Sequence, residues 1–213
     1  MKNYWLLLIF VFVQIAGCSP TKDTTGIWVN KEKAEGKSFN KIFLLVLTAD
    51  PGARTQIETD LETAAKEKGY VVVKSVDVMS TSIKDPKAPS KEEVVAAVTQ
   101  SGADAALIAS LLKKEEAVKY SPSTEVYSAK PYSTWTGNSA GYYSYWTPTV
   151  YHQGYFTKDG TYVMQSNLYE AATQEIMWSV QSKVFNPSSL KQFSKSYTAT
   201  LIKQLQKAKM LKK

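Results

Sequence analysis

Apolar residues run without a break from Ile42 to Leu47. A short continuous run of this kind reads as a strand buried on both faces, as in a parallel sheet. Asp50-Pro51 follows as an N-cap with proline at the first helical position. Ile57, Leu61, Ala64 and Ala65 then recur on one helical face, and Gly69 stops the helix. Arg54 and Glu58 are four apart, a spacing that predicts a pair on the surface of that helix. Tyr70 to Val78 is rich in valine and predicts a second strand. Ser90 with Glu93 forms a capping-box signature before Val94, Val95, Ala97 and Val98, and Gly102 ends this second helix. Ala103 to Leu112 predicts a third apolar strand. The order βαβαβ predicts right-handed crossovers and a parallel core.

The pattern changes towards the C-terminus. Tyr162 to Tyr169 and Ile176 to Phe185 predict two strands joined by a short turn around Thr173. In the second, Ile176, Trp178, Val180 and Val184 share one face. This hairpin is expected to add antiparallel strands to the parallel core. A last helix begins near Ser188, with Leu190, Phe193, Tyr197, Leu201 and Leu205 as its apolar stripe. Lys203, Lys207, Lys209, Lys212 and Lys213 make its end basic, which suits the negative end of the helix dipole. The fold class is therefore α/β. A βαβαβ parallel core is extended by an antiparallel hairpin, a C-terminal helix packs on the sheet, and a long aromatic-rich insertion lies at about 120–156.

That insertion, from Tyr120 to Phe156, breaks the alternation. It holds Tyr127, Tyr132, Trp135, Tyr142, Tyr143, Tyr145, Trp146, Tyr151 and Tyr155 among Ser, Thr, Gly and Pro. It is longer than the ~12–15 residues expected of a structureless loop in a compact domain. Tyr and Trp present flat apolar faces with a polar handle, which suits stacking on sugars, partner surfaces or a bilayer interface. Tyr127, Tyr132, Trp135, Tyr142, Tyr143, Tyr145 and Trp146 are the candidate partner- or glycan-binding residues. The alternatives are partial disorder, or strands whose aromatics cover the sheet, with 150–156 as one such strand. The insertion follows the third strand, and ligand sites in open α/β sheets lie beyond the carboxyl ends of strands. Asp50-Pro51-Gly52 sits at the neighbouring carboxyl end, as a neighbour of such a site or simply as a helix cap.

The N-terminus carries a different pattern. Lys2 is a positive n-region, Trp5 to Val13 is an unbroken apolar h-region, and Ile15-Ala16-Gly17-Cys18 ends it with small residues before a cysteine. The apolar stretch is short of the ~20 residues of a membrane-spanning helix. The arrangement resembles a bacterial lipoprotein signal peptide with its lipobox. The resemblance implies that the Cys18 thiol takes a diacylglycerol, that cleavage occurs before Cys18, and that the new amine is acylated. The alternative is a free thiol in an ordinary signal peptide or anchor. Ser19 follows, and the sorting rule of such lipoproteins retains Asp there in the inner membrane, so Ser19 implies the outer membrane of a Gram-negative host. The domains expected are a signal peptide at 1–17, a lipidated tether and docking segment at 18–40, and a single α/β domain at 41–213. Ser19 to about Thr25 is polar and tether-like. Ile27-Trp28-Val29 is either a short edge strand or a segment docked on the domain, and Lys31 to Asn40 is charged and loop-like.

Composition narrows the chemistry. The chain has 213 residues, 44% of them hydrophobic and 21% charged, enough for one domain with a real core. Its net charge of +7 points towards an anionic counterpart, or simply to a soluble periplasmic domain with a basic surface. An export signal argues against nucleic acid and for anionic lipid headgroups or acidic envelope polymers. Cys18 is the only cysteine, so no intramolecular disulfide is available. His152 is the only histidine. No Ser-His-acid spacing, CxxC pair or phosphate-cradling glycine loop occurs, and the carboxylates, Glu125 and Asp159 among them, are scattered. Lys113-Lys114-Glu115-Glu116 reads as a solvated strand end. No catalytic residue, metal ligand or cofactor is expected beyond the covalent diacylglycerol and N-acyl chain on Cys18.

Several pieces in order resemble a group of uncharacterised outer-membrane lipoproteins of Gram-negative bacteria. They are the lipobox, Ile27-Trp28-Val29, Lys41 to Thr48 with Arg54 and Glu58, Ser101-Gly102-Ala103-Asp104-Ala105, and the hairpin Asn167-Leu168-Tyr169…Ile176-Met177-Trp178-Ser179. The layout is also similar to the amino-terminal domain of TolB and to lipoproteins of the curli-secretion channel type. The resemblance implies an α/β domain acting through protein contacts, with no catalytic residues to carry over. The expected role is a non-catalytic accessory or assembly factor, lipid-anchored on the periplasmic side of the outer membrane and binding an envelope protein. The alternative is a glycan module that uses the aromatic segment on peptidoglycan or polysaccharide.

Overall fold

The computed structural model describes residues 24–48, 50–79, 89–115 and 160–211. In chain order the elements are β1 (Thr24–Val29), α1 (Lys31–Ala34), β2 (Lys41–Leu47), α2 (Pro51–Glu67), β3 (Val71–Lys74), α3 (Ser75–Val78), α4 (Lys91–Ser101), β4 (Ala105–Glu115), β5 (Thr161–Glu170), β6 (Ile176–Phe185) and α5 (Leu190–Lys207). The strands form one sheet in the order β1-β6-β5-β4-β2-β3. β2 pairs in parallel with β3 and with β4, while β4–β5, β5–β6 and β1–β6 are antiparallel. This is the α/β architecture expected, a βαβαβ parallel core prolonged by a hairpin.

Local chemistry sets the element ends. The Asp50 carboxylate accepts from the N–H groups of Gly52 and Ala53, with Pro51 opening α2. Ser90 and Glu93 close a reciprocal capping box on α4, and Gly102 ends it at φ +63°, a left-handed conformation that costs glycine little. Ser189 caps α5 by accepting from Gln192 N.

The path from β2 to β3 and the path from β3 to β4 run in opposite directions across the sheet, so right-handed crossovers put α2 and α4 on opposite faces. On one face Ile57 and Leu61 of α2 and Phe193, Tyr197, Leu201 and Leu205 of α5 bury Ile42, Leu44, Leu107, Leu168, Trp178 and Val180. The Phe193 ring meets Tyr162 edge-on at 5.3 Å and stacks on Tyr197 at 6.2 Å. On the other face Val94, Ala97 and Val98 of α4 pack with Phe43, Leu45, Ala106 and Ile108.

The structure corrects several sequence expectations. Ile27-Trp28-Val29 belongs to an edge strand that already starts at Thr24, so the tether-like polar stretch is shorter than its composition suggests. Within 31–40, Asn30 caps the short helix α1, Ala34 and Phe39 are buried, and Phe39 bridges to Leu211. The strand expected over Tyr70–Val78 stops at Lys74 and turns into α3. In β6, Trp178, Val180 and Val184 face α5, but Ile176 faces the opposite way beside Tyr169. The cause is a bulge: Tyr169 pairs with Ile176 and Leu168 with Trp178, leaving Met177 as the extra residue that reverses the alternation. Lys114 lies in β4 with its ammonium 5.9 Å from the Tyr162 ring centre, so this strand end is less solvated than its charges imply.

Three buried groups at the α5–β6 side of the core, Trp178 Nε1, Ser182 Oγ and Thr198 Oγ1, have no hydrogen-bond partner among the described residues. A buried hydroxyl left unpaired costs about 1–3 kcal/mol. Thr198→Val keeps the shape and removes that cost, so the urea midpoint is expected to rise by the equivalent of about 1 kcal/mol. A fall in the midpoint would show that the hydroxyl stabilises the fold.

Candidate functional site

The least expected feature is a buried ionic knot. Arg54 and Glu58 are 3% and 0% exposed, not on the helix surface where a four-residue spacing alone would put them. Glu58 Oε1 accepts from Arg54 Nε at 3.2 Å, from the Ser75 hydroxyl, and from Val46 N at 3.0 Å. Its Oε2 accepts from Val76 N at 3.0 Å. Arg54 Nη2 also donates to Ser75 Oγ at 2.6 Å. The reason lies in the sheet: β3 pairs with β2 only as far as Leu44–Lys74, so among the described residues Val46 has no neighbouring strand on that side. The Glu58 carboxylate takes that strand's place. Burial pushes its pKa above the ordinary carboxylate range, against the pull of Arg54 and the three other donors. The sequence did carry a signal: 54, 57, 58, 61 and 65 all fall on the buried face of α2.

A second polar group lies across β5 and β6, on the α4 face of the sheet. Cross-strand register sets Ile108, Asn167, Ser179 and Trp28 in one row and Ser110, Gln165, Gln181 and Gly26 in the next. Gln165 Nε2 donates to Asn167 Oδ1 at 2.9 Å and to Ser179 Oγ at 2.6 Å, and the Ser179 hydroxyl donates to the same Asn167 oxygen. Asn167 Nδ2 reaches the Tyr169 hydroxyl at 3.2 Å. Gln165, Asn167 and Ser179 are all at most 4% exposed. These residues are polar yet buried, and their side chains hydrogen-bond to one another across the hairpin.

β2 connects to β3 on one side and the β3→β4 connection returns to the other side of β2, so the carboxyl ends of β2 and β4 mark a topological switch point. Asp50 stands there as a helix cap, its Oδ1 occupied by Gly52 N at 2.8 Å and Ala53 N at 3.0 Å. The chain leaves the sheet at this end after Glu115 and returns at Thr161, and these two residues are direct cross-strand partners. The segment between them is therefore rooted at one fixed point of the sheet.

The candidate residues themselves, Cys18, Tyr127, Tyr132, Trp135, Tyr142, Tyr143, Tyr145 and Trp146, lie outside the described residues, as do His152, Glu125 and Asp159. Among the described residues no group of three or more His, Cys, Asp or Glu side chains is placed to hold a metal ion. No helix among them is long and apolar enough to cross a membrane.

No family model matches the chain, and no curated protein matches it. Solved structures do. The chain is similar to a point variant of the PelC dodecamer from Paraburkholderia phytofirmans, at 11% identity and a TM-score of 0.45, over 89% of this chain and 99% of that one. A second PelC dodecamer from the same organism gives 9% identity and a TM-score of 0.42, over 82% and 90%. Lipoprotein GNA1162 from Neisseria meningitidis gives 12% identity and a TM-score of 0.40, over 79% and 99%.

Glu58→Gln leaves a buried guanidinium without its counter-charge, which is expected to cost about 3–5 kcal/mol in urea unfolding. An exposed i,i+4 pair would give only about 0.3–0.5 kcal/mol. Adding Arg54→Met to Glu58→Gln should recover part of the loss, since the glutamine carbonyl still accepts one strand N–H. A double variant as unstable as the sum of the two single variants would show that the charges are not coupled.

Proposed function

We propose that this chain is a lipid-anchored cell-envelope protein without catalytic function, acting as an accessory or assembly factor that binds a protein partner at the periplasmic face of the outer membrane. The anchor is the acylated Cys18, and the partner surface is the aromatic segment at about 120–156. The observation that carries the reading is the pairing of Glu115 with Thr161, which roots this segment at the carboxyl end of the parallel strands. Ligand sites of open α/β sheets collect at that end. Tyr and Trp favour such contacts because their large, stiff rings bury much area for little lost rotamer entropy.

Cys18→Ala is expected to abolish incorporation of labelled fatty acid and to leave the precursor uncleaved. Labelling that persists in this variant would show that Cys18 is not the lipid site.

Photo-crosslinking in intact cells from probes at Tyr127, Tyr143 and Trp146 is expected to give a discrete protein adduct at constant stoichiometry. Loss of that adduct in favour of co-sedimentation with purified cell wall, abolished by Trp135→Ala or Trp146→Ala, would replace the protein partner with a glycan.

A further inference from the structure

The outward face of α5 is basic along its whole length. Lys191, Lys195, Lys203 and Lys207 fall on a stripe at four-residue steps, with Ala199 filling the remaining position, and all five are exposed. None of the four ammonium groups has an ion-pair or hydrogen-bond partner among the described residues. The 18-residue helix contains no acidic residue. The contrast with α2 is plain, since that helix places Glu62 between Lys66 and Lys74, at 2.7 and 3.2 Å. A stripe of one sign at this length is not the mixed surface that solubility alone requires.

The second observation is where the N-terminal tether meets the domain. β1 begins at Thr24, and its first residue is held to α5 by Gln204 Nε2 donating to Thr24 Oγ1 at 2.9 Å. Ser19 to Asp23 are all that separates Cys18 from this point. Fully extended, the step from Cys18 to Thr24 spans about 20 Å. A domain of this size is about 40 Å across. A tether so short cannot carry the chain around the body, so an acyl chain on Cys18 brings the α5 side of the domain to the bilayer.

We propose that α5 docks on anionic phospholipid headgroups through Lys191, Lys195, Lys203 and Lys207, fixing how the anchored domain stands on the membrane. The inference rests on acylation of Cys18, proposed above. Each lysine adjacent to an anionic surface adds about 1 kcal/mol of attraction, a factor of about five. The anchor supplies the high local concentration at which a few such contacts suffice to orient the domain. Docking on α5 leaves the other face of the sheet, with α4, turned away from the lipid.

The test uses the full-length processed protein in vesicles of phosphatidylethanolamine and phosphatidylglycerol. Cys18 is the only native cysteine and its thiol is consumed by the lipid, so a single introduced cysteine takes a fluorophore cleanly. Ala199→Cys reports on the α5 face, and Ala96→Cys, exposed on α4, reports on the opposite side. Lipids with a spin label on the headgroup should quench the probe at 199 and leave the probe at 96 bright. Quenching at 199 should be lost when the four lysines are changed to glutamine, at high salt, or in phosphatidylcholine vesicles. Intact-mass measurement reads the anchor independently. An acylated protein quenched equally at both positions, or quenched at 199 regardless of charge, overturns the docking while the anchor stands. A Cys18 that carries no lipid overturns the anchor and with it the tether argument.

Discussion

The architecture turns on one carboxylate. β3 is too short to pair with the second half of β2, and a central strand cannot leave a buried N–H unpaired without a cost close to that of a lost hydrogen bond. Glu58 resolves this from the adjacent helix. It accepts from Val46 of β2, from Ser75 and Val76 at the start of α3, and from Arg54 one turn away. Three elements are thereby tied at the point where the sheet would otherwise open. Burying a charge here is tolerable because the guanidinium and three further donors surround it. The same tie explains why the valine-rich stretch after Tyr70 stops being a strand at Lys74: the next donors in the chain are committed to Glu58.

With that end of β2 held, the two faces of the sheet take different roles. α2 and α5 close one face over an aromatic and aliphatic core in which the Tyr197 hydroxyl meets Ser166 at 2.7 Å. Burial drives the Tyr197 phenol far above its ordinary pKa, so it stays a neutral hydrogen-bonding group at all physiological pH. α4 packs over β2 and β4 on the other face, where the Gln165–Asn167–Ser179 network continues across the hairpin. The asymmetry gives the molecule one basic helical flank, one α4 flank, and one sheet end from which the aromatic segment departs. A lipid at Cys18 would orient all three at once, since β1 enters the sheet beside α5.

What the sequence made legible was chemistry that is local along the chain. The Asp50-Pro51 start of α2, the Ser90/Glu93 box and the left-handed Gly102 depend on contacts within a few residues, and each lies where its pattern puts it. The apolar run at Ile42–Leu47 was legible because burial on both faces demands continuous hydrophobicity, and the second hairpin strand because Trp178, Val180 and Val184 alternate along one face. What was hidden depends on partners far away in sequence. Arg54 and Glu58 read as surface charges because nothing nearby reveals that Val46 lacks a strand neighbour. The Met177 bulge could not be read from alternation, because alternation is the property it breaks. The Gln165–Asn167–Ser179 cluster was hidden because polarity alone does not distinguish a solvated side chain from one buried among hydrogen-bond partners. The aromatic segment has no period to place it, and its candidate residues lie outside the described structure.

The most direct test of this account is native-state hydrogen exchange at the Val46 amide. If Glu58 completes the sheet, Val46 should exchange as slowly as Leu44 and Leu107, its neighbours in the paired centre, and only through global unfolding. Exchange at Val46 as fast as that of exposed loop amides would mean that the carboxylate does not hold the end of β2, and the central claim would fail.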